Sequence, residues 1–406
     1  MRPNEYYTSV FYYPEAQKLH KYESHLAKTY KKFPIEIASG KGSLVYDSGG
    51  KMYIDLGSQT GVNIFGASDN LWISAVAEQA GKIPHISNSY ISAPQISLAE
   101  LLSGKSGAER VFFSNSGAEA NECAVKAARK YSAQKYTGER HTVITLQGSF
   151  HGRTISMLSA TGQAGFHIDF TPLTPGFEYV DPDRPDELLR LCETGKVCAI
   201  MLECVRGEGG VLPLPESFAQ AVKKVTKEND ILLICDEIQC GLGRCGRLFA
   251  YENYGLAPDI VTLAKGLGGG LPLGATLFFG KTADVLGEGD HGSTFGGNAC
   301  ACAGAEAVIR RLTDDVFSEV RRKSALVFSA FRGAKGIKKV RGEGLMIGIE
   351  TERPSYEIAK KCAERGVLLT LAKGCLRLLP ALNIPENLLL RGIEIIKSVA
   401  EESVSK

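Results

Sequence analysis

Tryptophan occurs once in this 406-residue chain, and no stretch approaches the roughly eighteen consecutive apolar residues that a membrane helix requires. A membrane-spanning protein is thereby set aside. The eleven cysteines are an odd number without framework spacing, and several fall inside apolar runs, as Cys198 does in Val197-Cys-Ala-Ile-Met-Leu202. That usage fits reduced, buried thiols and excludes a disulfide scaffold. Close pairs such as Cys300 and Cys302, or Cys235 and Cys240, lack the CxxC or HExxH context of a metal site, so no metal is expected. Nor is one charge in excess: 47 Lys and Arg against 45 Asp and Glu leave a formal +2, with the cations scattered. Nucleic acid and anionic membrane are therefore not expected as partners. Residues 1–13 carry no basic region followed by an apolar stretch, so the expected compartment is the cytoplasm.

What the sequence does hold is ample core. Hydrophobic residues make up 44% and charged residues 23%, the balance of a globular protein, and the length calls for a large α/β domain with a smaller companion. Residues 5–32, with Tyr6, Tyr7, Tyr12, Tyr13, Tyr22 and Tyr30, read as an arm or first helix packed on something larger. Residues 42–47 and 51–56 alternate apolar and polar around Ser48-Gly49-Gly50 and predict a β-hairpin. The expected division is 1–65 for arm and hairpin, packing with the small domain, 66–300 for the large domain, and 301–406 for a small α+β domain.

From about residue 70 to 285, short apolar runs alternate with helical stretches, the signature of a parallel sheet covered on both faces. Expected strands are 111–113, 142–146, 197–202, 231–235 and 260–264. Polar residues follow each directly: Ser114-Asn-Ser-Gly117, Ser149-Phe-His-Gly-Arg153, Glu203, Asp236-Glu-Ile-Gln239 and Lys265. Ligands of open α/β sheets bind beyond the carboxyl ends of the strands, so five runs deliver their chemistry to one edge.

Ser116-Gly-Ala-Glu119 has the form of a capping box, followed at helical spacing by Ala120, Cys123, Ala124, Ala127, Ala128 and Tyr131. The helix it opens either cradles a phosphate on its free amides or is an ordinary capped helix. Asp236 closes an apolar run where an isolated carboxylate is costly without a partner. A protonated pyridine nitrogen is one such partner; a helix cap or an arginine is another. Lys265 ends Ile260-Val-Thr-Leu-Ala264 and precedes Gly266-Leu-Gly-Gly-Gly270. Partial burial lowers an amine's pKa, and the neutral amine forms Schiff bases. Alone, Lys265 would read as a strand-end lysine reaching solvent; together, these residues predict a pyridoxal-type cofactor.

Six motifs occur in a fixed order: Phe113-Ser-Asn-Ser-Gly-Ala-Glu-Ala-Asn-Glu122, Phe150-His-Gly-Arg153, Asp236-Glu-Ile-Gln-Cys-Gly-Leu-Gly-Arg244, Pro258-Asp-Ile260, Ala264-Lys-Gly-Leu-Gly-Gly-Gly270 and His291-Gly-Ser-Thr-Phe-Gly-Gly-Asn298. From about Tyr30 to Asn383 the chain resembles the class III aminotransferases of fold type I, which use pyridoxal 5'-phosphate (PLP). The resemblance implies Lys265 as the Schiff-base lysine, Asp236 at the pyridine nitrogen, Gln239 near the phenolic oxygen and Phe150 stacked on the ring. It implies Gly117 and Ala118 on the phosphate, with Ser293 and Thr294 in the same role and Thr294 supplied across a homodimer with shared active sites. Arg377 matches the arginine that takes the α-carboxylate of glutamate or 2-oxoglutarate, and Glu208 the glutamate that pairs with it. Arg153 takes a second carboxylate, and Glu203 and, loosely, Tyr30 complete the substrate set. For Tyr30 the residues favour core packing over that loose match.

Within the class, residues 264–275 are most similar to acetylornithine aminotransferases, then to ornithine δ-aminotransferases, then to 4-aminobutyrate aminotransferases. The implied reaction moves the δ-amino group of N2-acetylornithine to 2-oxoglutarate, giving the semialdehyde and glutamate, as in arginine biosynthesis. An aminomutase or a non-catalytic PLP-binding protein would leave the dicarboxylate residues without a task. The chain also departs from the pattern. Phe65-Gly-Ala-Ser-Asp69 stands where Gly-His-x-His-Pro is common, Ala299 where proline is, and Cys245 where Thr or Ser is usual. Arg206 replaces a glutamine, and the spacing predicts a positive charge close to Glu208.

Overall fold

A computed structural model of the chain describes residues 25–136 and 139–404. The expected hairpin is present as β2 (Leu44–Asp47) and β3 (Met52–Asp55), with β1 (Ile37–Lys41) added antiparallel on β2. Asp47 shapes the turn by accepting the amides of Gly49 and Lys51 at 3.0 and 2.9 Å. Of the expected N-terminal arm, Tyr6, Tyr7, Tyr12, Tyr13 and Tyr22 lie outside the described residues. Tyr30 is described and is 82% exposed, so among the described residues it packs into no core, against that expectation.

The central sheet is built from β4 (Arg110–Ser114), β5 (Thr142–Leu146), β6 (Phe177–Val180), β7 (Val197–Leu202), β10 (Leu232–Asp236), β11 (Ile260–Leu263) and β12 (Gly274–Phe278). A two-stranded ribbon, β8 (Val205–Arg206) and β9 (Leu212–Pro213), lies between β7 and β10 in the chain. The spatial order is β4-β12-β11-β10-β7-β5-β6. Six strands run parallel, and all five expected strands are among them. The sheet is mainly parallel, as the sequence pattern predicts, with β12 the exception: it is antiparallel to both β11 and β4. A parallel crossover takes about a dozen residues or more, usually as a helix, whereas the glycine-rich stretch after β11 turns straight back.

Helices cover both faces. On α1 (Asn70–Lys82), α2 (Ala93–Ser106) and α3 (Gly117–Tyr136), burial falls as the sequence pattern requires: Ala120, Cys123, Ala124, Ala127 and Ala128 of α3 are wholly buried. These small side chains let the helix lie close on the sheet. α4 (Pro185–Glu193) and α5 (Glu216–Asn229) pack together and bury Leu188, Phe218 and Val222. Each such side chain contributes roughly 1.5–3 kcal/mol when fully buried, so a charged group at this depth needs strong compensation.

Beyond α6 (Ala299–Ile309) and α7 (Asp314–Phe331), an antiparallel sheet has the order β13-β14-β17-β16. Its strands are β13 (Ile337–Glu343), β14 (Met346–Thr351), β16 (Thr370–Ala372) and β17 (Cys375–Leu378). α8 (Ser355–Glu364) and α9 (Glu386–Val404) complete the segment. The short β15 (Val367–Leu368) leaves this sheet and pairs parallel with β3, setting Val367 opposite Ile54. Ile54 and Leu56 therefore share a core with Ile347, Leu376 and Ile393. All eleven cysteines are buried and free. Among the described residues no helix is long and apolar enough to cross a membrane.

Candidate active site

The carboxyl ends of β5, β7, β10 and β11 bring Phe150, Glu203, Asp236 and Lys265 to one edge, as the strand pattern predicts. Asp236 is 3% exposed at the end of β10. Its Oδ2 accepts hydrogen bonds from Asn121 Nδ2 and His151 Nδ1, both at 2.8 Å, and its Oδ1 accepts the Ile238 amide at 3.1 Å. Asn121 is held in turn by Thr262, whose hydroxyl donates to its Oδ1 at 2.7 Å. Neither a helix cap nor an arginine takes Asp236. Three donors hold the carboxylate in one orientation while leaving Oδ1 with further acceptor capacity.

Lys265 stands just past β11 at the start of a single tight turn, with φ of +46°. A non-glycine residue in that region is strained and persists where its surroundings hold it. Here the lone Trp72 helps, donating from Nε1 to the Gly268 carbonyl at 2.9 Å, while the Gly268 amide bonds Lys265 O at 3.2 Å. Among the described residues nothing accepts a hydrogen bond from the Lys265 amine. Burial pushes its pKa down, with Arg377 adding to the effect against Glu208, Asp236 and Glu203. The amine is thus shifted toward the neutral, nucleophilic form.

Arg377 reaches the same place from β17. It is 3% exposed, donates from Nη1 to Glu208 Oε1 at 2.5 Å and to Gln239 Oε1 at 3.0 Å, and from Nε to Thr370 Oγ1 at 3.2 Å. The expected Arg377–Glu208 pair is therefore present, with Gln239 as a third member.

Other expected residues are placed less uniformly. Gly117 and Ala118 open α3, where the first amides have no intrahelical acceptor. The capping box is altered: Ser116 Oγ accepts the Glu119 amide at 3.3 Å, but Glu119 Oε2 reaches back to the amide of Asn115 at 2.9 Å. Ser293 lies beside that helix start, its Oγ accepting from Asn115 Nδ2 at 3.0 Å, while Thr294 is exposed. The Arg153 guanidinium lies over the rings of Phe150 and Phe166, 5.5 and 4.3 Å from their centroids, and is exposed. Arg206 corrects an expectation: rather than meeting Glu208, its Nη1 donates to the Gln147 carbonyl at 2.7 Å, since Glu208 is already taken by Arg377. Both oxygens of Glu203 accept backbone amides, from Phe150 at 2.8 Å and Gly207 at 3.1 Å.

Asn121 and His151 escaped the sequence reading as partners of Asp236. Both lay inside quoted motifs, but no spacing rule links a helix residue or a loop histidine to a carboxylate 115 or 85 positions away. A cavity of about 830 Å³ between Lys105, Arg247, Glu252 and Arg321 shares no residue with this cluster. The donor set suits a group that carries a basic ring nitrogen, a carbonyl and a phosphate. Asp236 would meet the nitrogen, Lys265 the carbonyl, and the α3 amides with Ser293 the phosphate.

The class III aminotransferase family model matches residues 25–400. An acetylornithine aminotransferase of Haemophilus ducreyi is 46% identical over 381 residues, which are 93% of this chain and 97% of that protein. Another, of Methanocaldococcus jannaschii, is 43% identical over 363 residues, 87% and 90% of the two chains. Among solved structures, the ornithine aminotransferase of Toxoplasma gondii ME49 superposes with a TM-score of 0.92 at 29% identity, covering 97% of this chain and 96% of that one. The N-acetylornithine aminotransferase of Stenotrophomonas maltophilia K279a gives 0.82 at 34% identity, with 95% and 99% covered. A match running from residue 25 to residue 400 takes in every member of the cluster around Lys265, and the chain belongs to the class III aminotransferases, a family of PLP-dependent enzymes.

Proposed function

We propose that the chain moves the δ-amino group of N2-acetylornithine, or a closely related ornithine derivative, to 2-oxoglutarate, using PLP held covalently through Lys265. The observation that carries this reading is the Arg377–Glu208 pair with Gln239 beside the lysine. Arg377 grips the carboxylate next to the reacting carbon of glutamate or 2-oxoglutarate, as a planar guanidinium does well. Glu208 neutralises that cation when the donor brings a δ-amine with no carboxylate beside it.

Bound there, PLP supplies an electron sink for charge developing at the amine-bearing carbon. Asp236, oriented by His151 and Asn121, holds a proton on the ring nitrogen. Lys265 Nζ, shifted toward its neutral form, would carry the proton from the amine-bearing carbon to the cofactor's C4' carbon within one half-reaction and in the opposite direction in the other. Phe150 flanks the ring, and Arg153 takes the donor's distant carboxylate. Gly117, Ala118 and Ser293 bind the phosphate, with Thr294 contributed across the interface of a homodimer. Tyr30, exposed in this chain, is the loosely matched last member of the substrate set. In the same reading, residues 66–300 are the domain that carries Lys265 and residues 301–406 the one that carries Arg377.

A second reading, ornithine itself as donor, is favoured by the likeness to the Toxoplasma gondii ornithine aminotransferase. Steady-state rates with N2-acetylornithine, ornithine, N-succinyl-diaminopimelate and 4-aminobutyrate, each against 2-oxoglutarate, decide between them. N2-acetylornithine should give the highest kcat/KM. Preference for 4-aminobutyrate would overturn the assignment, and failure of glutamate to convert the bound aldehyde cofactor to its amine form would overturn the reaction itself.

A further inference from the structure

The loop after β5 and the loop after β7 are joined at three points to which the reaction gives no task. Glu203 accepts the Phe150 amide on Oε1 and the Gly207 amide on Oε2, at 2.8 and 3.1 Å. Arg206 reaches the opposite way, its Nη1 donating to the Gln147 carbonyl at 2.7 Å. Between these struts Gly209 lies so near Gly148 that a Cβ on it would collide with the Gly148 carbonyl oxygen. One loop carries Phe150 and Arg153; the other carries Glu208 and, through it, the position of Arg377.

Both struts are charged and buried, Glu203 at 4% and Arg206 at 7% exposure. A carboxylate that meets backbone donors on both oxygens does so only while ionised, because a protonated carboxyl turns an O–H toward one of those donors. Burial pushes Glu203 up and Asp236 adds to the rise, while His151 and the two amides oppose it. Lys265 and Cys240 also face it. The Arg206 side chain forms no ion pair among the described residues, and its buried Nε has no acceptor. Glu203 is the charge that acts most strongly on that guanidinium, ahead of Asp183 and Asp181.

We propose that Glu203 is a positioning residue rather than a substrate contact, locking the Phe150 loop to the Glu208 loop, and that Arg206 is the buried cation that keeps this lock closed at neutral pH. The inference rests on the reading of Arg377 as the carboxylate site and goes beyond it by naming what fixes that site relative to the ring-flanking loop. When Glu203 takes up a proton, one amide bond is lost and Phe150 and the Glu208–Arg377 pair lose their common anchor. Capture of 2-oxoglutarate then weakens on the acid side of neutrality. A glutamine at position 206 would form the strut without the charge.

The test compares the holoenzyme with its R206Q, R206K and E203Q variants. In R206Q the acid limb of kcat/KM for 2-oxoglutarate should move up in pH, and R206K should restore it. E203Q should lack that limb and show a raised KM for 2-oxoglutarate at every pH. Amide exchange of the peptides holding Phe150 and Gly207, measured at pH 7 without substrate, should quicken in R206Q and E203Q and stay slow in R206K. Exchange that matches the parent in both R206Q and E203Q overturns the lock, whatever the kinetics. If exchange responds as stated while the 2-oxoglutarate constants do not, the lock stands and the assignment of Arg377 fails. Should R206Q not fold, R206K and E203Q carry the same comparison.

Discussion

Gln239 turns its side-chain oxygen to Arg377, 3.0 Å from Nη1, and its amide nitrogen toward Glu208, 3.5 Å from Oε1. One glutamine thus touches both halves of an ion pair whose arginine is almost wholly buried and whose glutamate is part exposed. Removing the glutamate leaves Arg377 with the neutral acceptors Gln239 and Thr370, so that the substrate carboxylate becomes its ionic partner. Glu208→Ala is expected to lower KM for 2-oxoglutarate about fivefold, on the order of 1 kcal/mol for a part-exposed pair. The same change should erode the preference for a δ-amine over the α-amine of glutamate. Steady-state constants for both substrates check this.

Lys265 supplies the proton transfer and the covalent attachment, so Lys265→Met should lose turnover by a factor on the order of 10³ or more. Its effect on stability has a defined sign. The folded protein holds this amine below its unfolded value of about 10.4 and so binds fewer protons than the unfolded chain. Cofactor-free parent protein should therefore gain stability relative to Lys265→Met as pH rises from 7 toward 10. Denaturant midpoints at the two pH values read it directly, and an opposite trend would mean that the amine is not held low.

His151→Phe removes the Nδ1 donor and leaves Asp236 Oδ2 with Asn121 alone. A hydrogen bond to a charged group contributes about 1.5–3 kcal/mol, so kcat should fall roughly 10- to 100-fold. KM for 2-oxoglutarate should barely change, since Arg377 makes no contact with this pair. A KM effect as large as the kcat effect would place His151 elsewhere in the mechanism.

Gly162→Ala is expected to destabilise the sheet edge rather than the chemistry. A Cβ there would overlap the Leu146 carbonyl at the end of β5, where backbone is all there is to move. The loss should be about 1–3 kcal/mol, measured by denaturant unfolding.

The strand edge was readable because fully apolar runs announce buried strands and the first polar residues after them announce the edge. The direction of β12 was not. Five residues, Gly-Ala-Thr-Leu-Phe, carry no mark of orientation, which is set by the ten residues available between β11 and β12. The partners of single charged groups were also out of reach. Arg206 sits two positions from Glu208, yet on a two-residue strand with Glu208 already paired it turns toward Gln147. Sequence distance predicted a neighbour, but the chain leaves the strand and turns straight after Arg206, and Glu208 pairs with Arg377 instead. Tyr30 joins no core among the described residues, a fact that no local pattern encodes.

The pairing of Val367 with Ile54 reaches across more than three hundred residues of chain. During synthesis from the N-terminus, the edge of β3 must wait uncovered until the chain has been made past residue 368, more than three hundred residues later. An exposed strand edge invites wrong pairing, and contacts this distant in sequence form slowly. Nascent chains that stop short of residue 367 would thus carry an open β-edge, and their solubility should depend on helpers that mask it until β15 arrives.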